Sequence, residues 1–98
     1  MTAELYEAIA RGAQAQADQL DSLAATLNQV GVAAKEKLAG TVTGKDKQLV
    51  GVIGLARKEA RAAVQAFREA AMLARRQADR ARAEQERQRQ TRAAGGRS

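Results

Sequence analysis

Gly40-Thr41-Val42-Thr43-Gly44-Lys45-Asp46 is the stretch of sequence that decides the fold. It interrupts two long Ala-rich stretches whose apolar residues recur every three or four positions, which is the spacing of one face of a helix. Gly40 suits the left-handed residue that ends a helix, and Gly44 gives a turn that includes Val42 a second flexible point. The sequence therefore predicts an all-α fold, an antiparallel two-helix hairpin over residues 1–85.

The ends of both helices are predicted from capping residues. Thr2 is a suitable N-cap for helix 1, expected over residues 3–39, and Asp46 or Thr43 for helix 2, expected over residues 46–85. The apolar stripe of helix 1 is Leu5, Ile9, Ala13, Ala17, Leu20, Leu23, Leu27, Val30, Ala34 and Leu38. The stripe of helix 2 is Leu49, Ile53, Ala56, Ala60, Ala63, Phe67, Ala70 and Ala74. No apolar seam continues beyond residue 75, so residues 86–98 are expected to form a basic, flexible tail.

Two glycines lie at equal distances from the centre of the turn. Gly31 and Gly51 are each flanked by valines, and both are ten residues from Thr41. In an antiparallel hairpin they fall at the same height, where facing glycines let two helix backbones approach closely. The alternative is that both are loose kinks, or that the valines form a short pair of strands.

The composition excludes several classes of catalytic and metal site. The chain has no His, Cys or Trp. Structural zinc sites and the common nucleophile-base pairs therefore lack their parts. Carboxylate pairs occur at Glu4/Glu7 and Asp18/Asp21, but among Ala, Gln and Arg rather than in an apolar pocket that would tune their protonation. We expect no catalytic residue, no metal site and no cofactor.

The sequence also bears on location. The acidic N-terminus has no apolar segment typical of a signal peptide, and the longest apolar run, residues 49–56, is far shorter than the roughly 20 residues that span a bilayer. We expect a chain made in the cytoplasm without a membrane span, with export by a signal-peptide-independent system left open.

Alanine dominates the apolar residues, with 24 Ala among the 98 residues. A small domain with few large side chains buries little surface by itself, which favours association with a helical protein partner or with a second copy. The alternative is that the large residues only hold the two helices together, and this is favoured for Leu23, Leu27 and Ile53, nearest the turn. Val64 and Leu73 lie off the main stripe and are expected to face outward. The predicted partner-binding residues are Leu20, Leu23, Leu27, Val30, Ile53, Val64, Phe67 and Leu73.

The charge is concentrated in the second half of the chain. Residues 1–50 hold five Lys/Arg and six Asp/Glu, for a net charge of −1, whereas residues 51–98 hold twelve and five, for +7. Arginine suits phosphate binding, so the alternative function is a dimeric nucleic-acid-binding protein. Acidic residues interleave these arginines, and no aromatic side chain stands beside them to stack on bases. A basic tail that binds an acidic protein fits the charge equally well. The candidate phosphate-binding residues are Arg75, Arg76, Arg80 and Arg82.

The layout resembles the Trp-X-Gly family of small helical hairpins that type VII systems secrete. Val42-Thr43-Gly44 lies where that family has its Trp-X-Gly turn, with Val42 in place of the tryptophan. Arg75 stands four positions before Asp79, where the family's export signal has an aromatic residue before an acid. The resemblance covers roughly residues 3–80. It implies a small secreted hairpin, or a targeting or chaperone partner of a larger exported protein or toxin.

Overall fold

The fold consists of two long α-helices. The structure, a computed structural model, describes residues 2–38 and 44–95. Helix α1 covers Ala3–Leu38 and helix α2 covers Gly44–Gly95, and the described residues contain no strand. Two contacts show that the helices run antiparallel. Asn28 bonds to Arg57 and Gly31 faces Ile53, so the contacted residue number falls in α2 as it rises in α1. The predicted all-α helical hairpin is confirmed.

The start of α1 is capped as the sequence predicts. The backbone N–H of Leu5 donates to Oγ1 of Thr2 over 3.4 Å, and the N–H of Tyr6 donates to the Thr2 carbonyl over 3.2 Å. The first bond satisfies one of the donors that the first turn of a helix leaves without an intrahelical partner, and the second is the first i→i−4 bond of the helix. Thr2 therefore defines where α1 begins.

Helix 2 starts within two residues of its predicted start near residue 46, whereas its predicted end is wrong. Helix α2 begins at Gly44, which was expected in the turn, so Asp46 lies inside the first helical turn. At the other end α2 continues to Gly95, ten residues past the predicted end. Residues 82–95 are rich in Arg, Gln, Glu and Ala, which have high helix propensity, and all of them are exposed. Propensity thus extends the helix where no packing supports it. Gly40, Val42 and residues 96–98 of the predicted tail lie outside the described residues.

The helices pack as two compact units. Unit 1 comprises the described residues of Met1–Gln14 and Arg68–Ser98, and unit 2 comprises Ala15–Phe67. The buried side chains of unit 1 are all alanines: Ala3, Ala10, Ala13, Ala71, Ala74 and Ala78. In unit 2 the buried residues are Ala17, Ala24, Ala60 and Val64.

The buried and half-buried residues follow a seven-residue repeat in each helix. In α1 we label residues 3, 10, 17, 24, 31 and 38 as position a, and residues 6, 13, 20, 27 and 34 as position d. In α2, residues 50, 57, 64, 71 and 78 are position a′, and residues 46, 53, 60, 67, 74 and 81 are position d′. The other positions of each heptad take letters in the same order. Small residues dominate these seams, which favours axes near the short end of the usual 8–10 Å separation.

Candidate protein-interaction surface

One side of unit 2 mixes polar and apolar side chains. Asn28 and Lys35 occupy position e of α1, and Gly54 and Arg61 occupy position e′ of α2. Nη1 of Arg57 donates to Oδ1 of Asn28 on this side. A shallow groove of about 120 Å³ brings the e and e′ positions together, as antiparallel heptad packing requires. The groove is lined by Leu27, Asn28, Gly31, Val32, Lys35, Val50, Ile53, Gly54 and Arg57.

The opposite side of unit 2 is apolar. Because the e and e′ positions share one side, the g and g′ positions flank the seam on the other side, with c and c′ beyond them. Large side chains occupy these positions and the neighbouring d′ position, and smaller alanines at 33, 56, 63 and 66 lie between them. We call this surface the apolar face and define it by Leu23, Val30, Leu49, Val52 and Phe67, which are 37–60% exposed.

The apolar face carries little charge. At the c and g positions of residues 23–33, and the c′ and g′ positions of residues 49–67, the single charged residue is Glu59. The α2 part of the face is about 27 Å long, and the two helices side by side are about 18 Å wide, so its area is on the order of 500 Å². This is the size of the largest apolar patch on a typical soluble monomer, and such a patch is often functional.

The structure separates the predicted partner-binding residues into three groups. Leu23, Val30 and Phe67 are exposed on the apolar face of unit 2, and Leu73 is 57% exposed in unit 1. Leu20, Leu27 and Ile53 are half-buried in the seam of unit 2. The outward orientation predicted for Val64 is wrong, because at position a′ its side chain is 3% exposed.

Two contributors to the apolar face were not among the predicted partner-binding residues. The predicted apolar stripe of helix 2 includes Leu49 and not Val52, yet both side chains are exposed, by 53% and 60%. The available signal was the seven-residue spacing of Leu49, Ala56 and Ala63, which places them on one line beside the seam.

Of the two glycines predicted to face each other, Gly31 lies against the other helix and Gly51 does not. A β-carbon built on Gly31 would lie 3.4 Å from Cγ2 of Ile53, whereas one built on Gly51 would meet no atom within 4 Å. Gly31 occupies position a and faces the partner helix, but Gly51 occupies position b′ and is exposed. The predicted facing pair is therefore wrong, and the residue opposite Gly31 is Ile53.

The four predicted phosphate-binding arginines lie in unit 1 and are exposed. They do not share one face: Arg75 and Arg82 occupy position e′, Arg76 occupies f′ and Arg80 occupies c′. Arg82 forms an ion pair with Glu7 of α1, and Arg76 donates to the sulfur of Met72 over 3.8 Å. The structure thus gives two of the four arginines partners within the chain.

Unit 1 also exposes apolar side chains at the c, g and c′ positions. Leu5, Ile9 and Leu73 are 54%, 47% and 57% exposed. The buried residues of the seam beside them are alanines and Tyr6 is half-buried in it, so these three large apolar residues lie on the surface of the unit.

Residues 2–38 and 44–95 contain no group of three or more Asp or Glu residues placed to hold a metal ion. Neither α1 nor α2, as described, is long and apolar enough to cross a membrane. Comparison with protein-family models, curated proteins and solved structures finds no match to this chain. The resemblance to the Trp-X-Gly family stays a prediction.

Proposed function

We propose that this protein is a non-catalytic helical interaction module whose apolar face packs against the helices of another protein subunit. The observation that carries this proposal is an inversion of side-chain size. Among the described residues, nine of the ten buried apolar residues are alanine, whereas eleven large apolar side chains are exposed. Large apolar side chains that stabilised the hairpin by itself would be buried within it.

The energetics favour a partner on this face. Fully burying a Leu, Val or Phe side chain contributes about 1.5–3 kcal/mol, so covering five half-exposed side chains contributes on the order of 5 kcal/mol. A second pair of helices laid on the apolar face completes a four-helix bundle, the arrangement in which such hairpins bury their apolar surface.

The partner is a helical protein, either a different one or a second copy of this chain. If the resemblance to type VII hairpins holds, the partner is a larger exported protein or toxin. The nucleic-acid alternative has less support, because Arg82 is paired with Glu7 and Asp79 and Glu84 interleave the arginines.

The experiment compares two double variants, which replace exposed large apolar side chains on different sides of the hairpin. Leu23→Gln/Leu49→Gln alters the apolar face, whereas Val32→Gln/Leu55→Gln alters the b and f′ positions away from it. The four side chains are 47%, 53%, 49% and 56% exposed, so the intrinsic cost to the hairpin is matched. Each tagged chain is isolated from its native cells after nuclease treatment in near-physiological salt.

We expect the unchanged chain and the Val32/Leu55 variant to retain one stoichiometric protein, or to have the mass of a dimer by light scattering. The Leu23/Leu49 variant is expected to lose that partner while keeping its helical circular dichroism. Equal retention by both variants, or recovery of nucleic acid alone from a sample without nuclease, would contradict the proposal.

A further inference from the structure

The C-terminal part of α2 runs past the start of α1. Arg82 pairs with Glu7, and α1 has only four further residues before it begins at Ala3, about 6 Å of helix. Beyond Arg82, α2 continues for thirteen residues to Gly95, about 20 Å. We call residues 82–95 the arm. All of its residues are exposed. Most of the arm lies beyond Ala3, where α1 does not run beside it.

The side of the arm that continues the hairpin seam is polar and cationic. Its a′, d′ and e′ positions after Arg82 are Gln85, Gln88, Arg89 and Arg92. The two carboxylates of the arm lie elsewhere, Glu84 at g′ and Glu86 at b′, and Glu84 pairs with Arg87 at c′ over 3.1 Å. The inner side of the arm therefore presents two arginines and two amides without a carboxylate.

The pair formed by Glu7 and Arg82 shows what chemistry fits this side. Glu7 occupies position e of α1 and Arg82 occupies e′ of α2. Arg89 occupies the next e′ position, seven residues or about 10.5 Å further along, where α1 no longer runs beside α2. A carboxylate on a helix in line with α1 would meet Arg89 as Glu7 meets Arg82.

We infer that the inner side of the arm is a docking site for an acidic helical segment of a protein partner. The segment lies antiparallel to the arm, with carboxylates toward Arg89 and Arg92 and hydrogen-bonding side chains toward Gln85 and Gln88. An apolar helix is excluded because these amides would be buried without partners. This surface lies in unit 1 and is separate from the apolar face of unit 2, so the inference does not depend on the proposed function.

The spacing of the side chains on the inner side of the arm fits a helix better than it fits a nucleic acid. The inner side repeats every seven residues, as the seam of a partner helix does. The arm contains no aromatic side chain on which a base would stack. Arginine pairs bidentately with carboxylates and with phosphates, so it is the Glu7–Arg82 pair that points to a carboxylate here.

The test uses the full chain and a synthetic 21-residue helical peptide as the probe. The peptide has Glu at its a and e positions, Gln at d and Ala elsewhere, and a control peptide has Gln in place of every Glu. Two chain variants lose the same charge: Arg89→Gln/Arg92→Gln on the inner side, and Arg80→Gln/Arg87→Gln at the c′ positions on another side. Fluorescence anisotropy measures binding, and a 15-base-pair DNA duplex is the competing polyanion.

We expect the acidic peptide, but not the Gln peptide, to bind the unchanged chain. Affinity should fall at least 10-fold with Arg89→Gln/Arg92→Gln and less than 2-fold with Arg80→Gln/Arg87→Gln. Equal losses in the two variants would show that only net charge matters and would overturn the inference. Absence of peptide binding, or binding of the DNA alone, would also overturn it. Helical circular dichroism of both variants confirms that the arm is intact.

Discussion

Gly31 of α1 faces the Ile53 side chain of α2, with 3.4 Å between Cγ2 of Ile53 and the position that a β-carbon on Gly31 would take. This distance corresponds to van der Waals contact, so one methyl group fits at this point of the seam. At this height of unit 2 the packing is therefore between a glycine and a β-branched side chain, rather than between two glycines.

Gly31→Ala is expected to raise the free energy of unfolding by about 0.5–1 kcal/mol, because Ala has the higher helix propensity and its methyl group meets Ile53 without overlap. Gly51→Ala, at an exposed position, is the control that measures propensity alone. Gly31→Leu should instead destabilise by about 1–3 kcal/mol, because its side chain does not fit the seam. Urea unfolding measures all three, and an unchanged stability in Gly31→Leu would show that the seam is open there.

Val64→Ala is expected to lower the free energy of unfolding by about 2 kcal/mol, because Val64 is the one large apolar side chain that is fully packed among the described residues. Val52→Ala removes the same atoms from a side chain that is 60% exposed, and it should cost less than about 0.5 kcal/mol in the isolated hairpin. Both values come from the same denaturant titration. Equal costs would place Val64 on the surface, as the sequence pattern alone suggested.

The ion pair between Glu7 and Arg82 is expected to contribute modestly to the free energy of unfolding. The Glu7 side chain is 27% exposed and that of Arg82 is 62% exposed, so solvent screens the attraction. A double-mutant cycle with Glu7→Gln and Arg82→Gln should give a coupling of about 0.5 kcal/mol at low salt, and less in 1 M NaCl. A coupling above about 2 kcal/mol that resists salt would mean that the pair is buried.

Removal of residues 86–98 is expected to leave the unfolding midpoint of the hairpin unchanged, since the described residues of this segment are exposed. The helical circular dichroism signal should fall in proportion to the helical residues removed. A loss of more than about 1 kcal/mol in unfolding free energy would show that the arm packs against the rest of the chain.

The sequence predicts the hairpin, the cap at Thr2 and much of the seam, because a three-to-four spacing of apolar residues identifies a helix face regardless of side-chain size. It does not distinguish two adjoining apolar stripes in an Ala-rich helix. Ala10 and Ala24 occupy the seam, whereas the larger Ile9 and Leu23 lie beside it. Side-chain size decides which of the two stripes lies in the seam, because alanines let the helices approach closely and larger side chains then lie at the flanks.

The end of α2 was mispredicted for a related reason. The large apolar residues stop near Arg75, and without a continuing seam the sequence predicts a flexible tail from residue 86. Helix propensity requires no seam, and the Arg, Gln, Glu and Ala residues of the arm form helix to Gly95. The charge of the tail already allows an acidic protein partner, but which side of the arm is open depends on where α1 begins relative to Arg82.

Side-chain footprinting of the complex isolated from native cells shows whether a partner covers the apolar face. Leu49 and Leu55 are 53% and 56% exposed in the isolated hairpin and lie on the same helix at different positions around it. Hydroxyl-radical oxidation read by mass spectrometry should modify Leu49 several-fold more slowly than Leu55, with Leu23 protected in the same way. Equal oxidation rates at Leu49 and Leu55 would contradict the account.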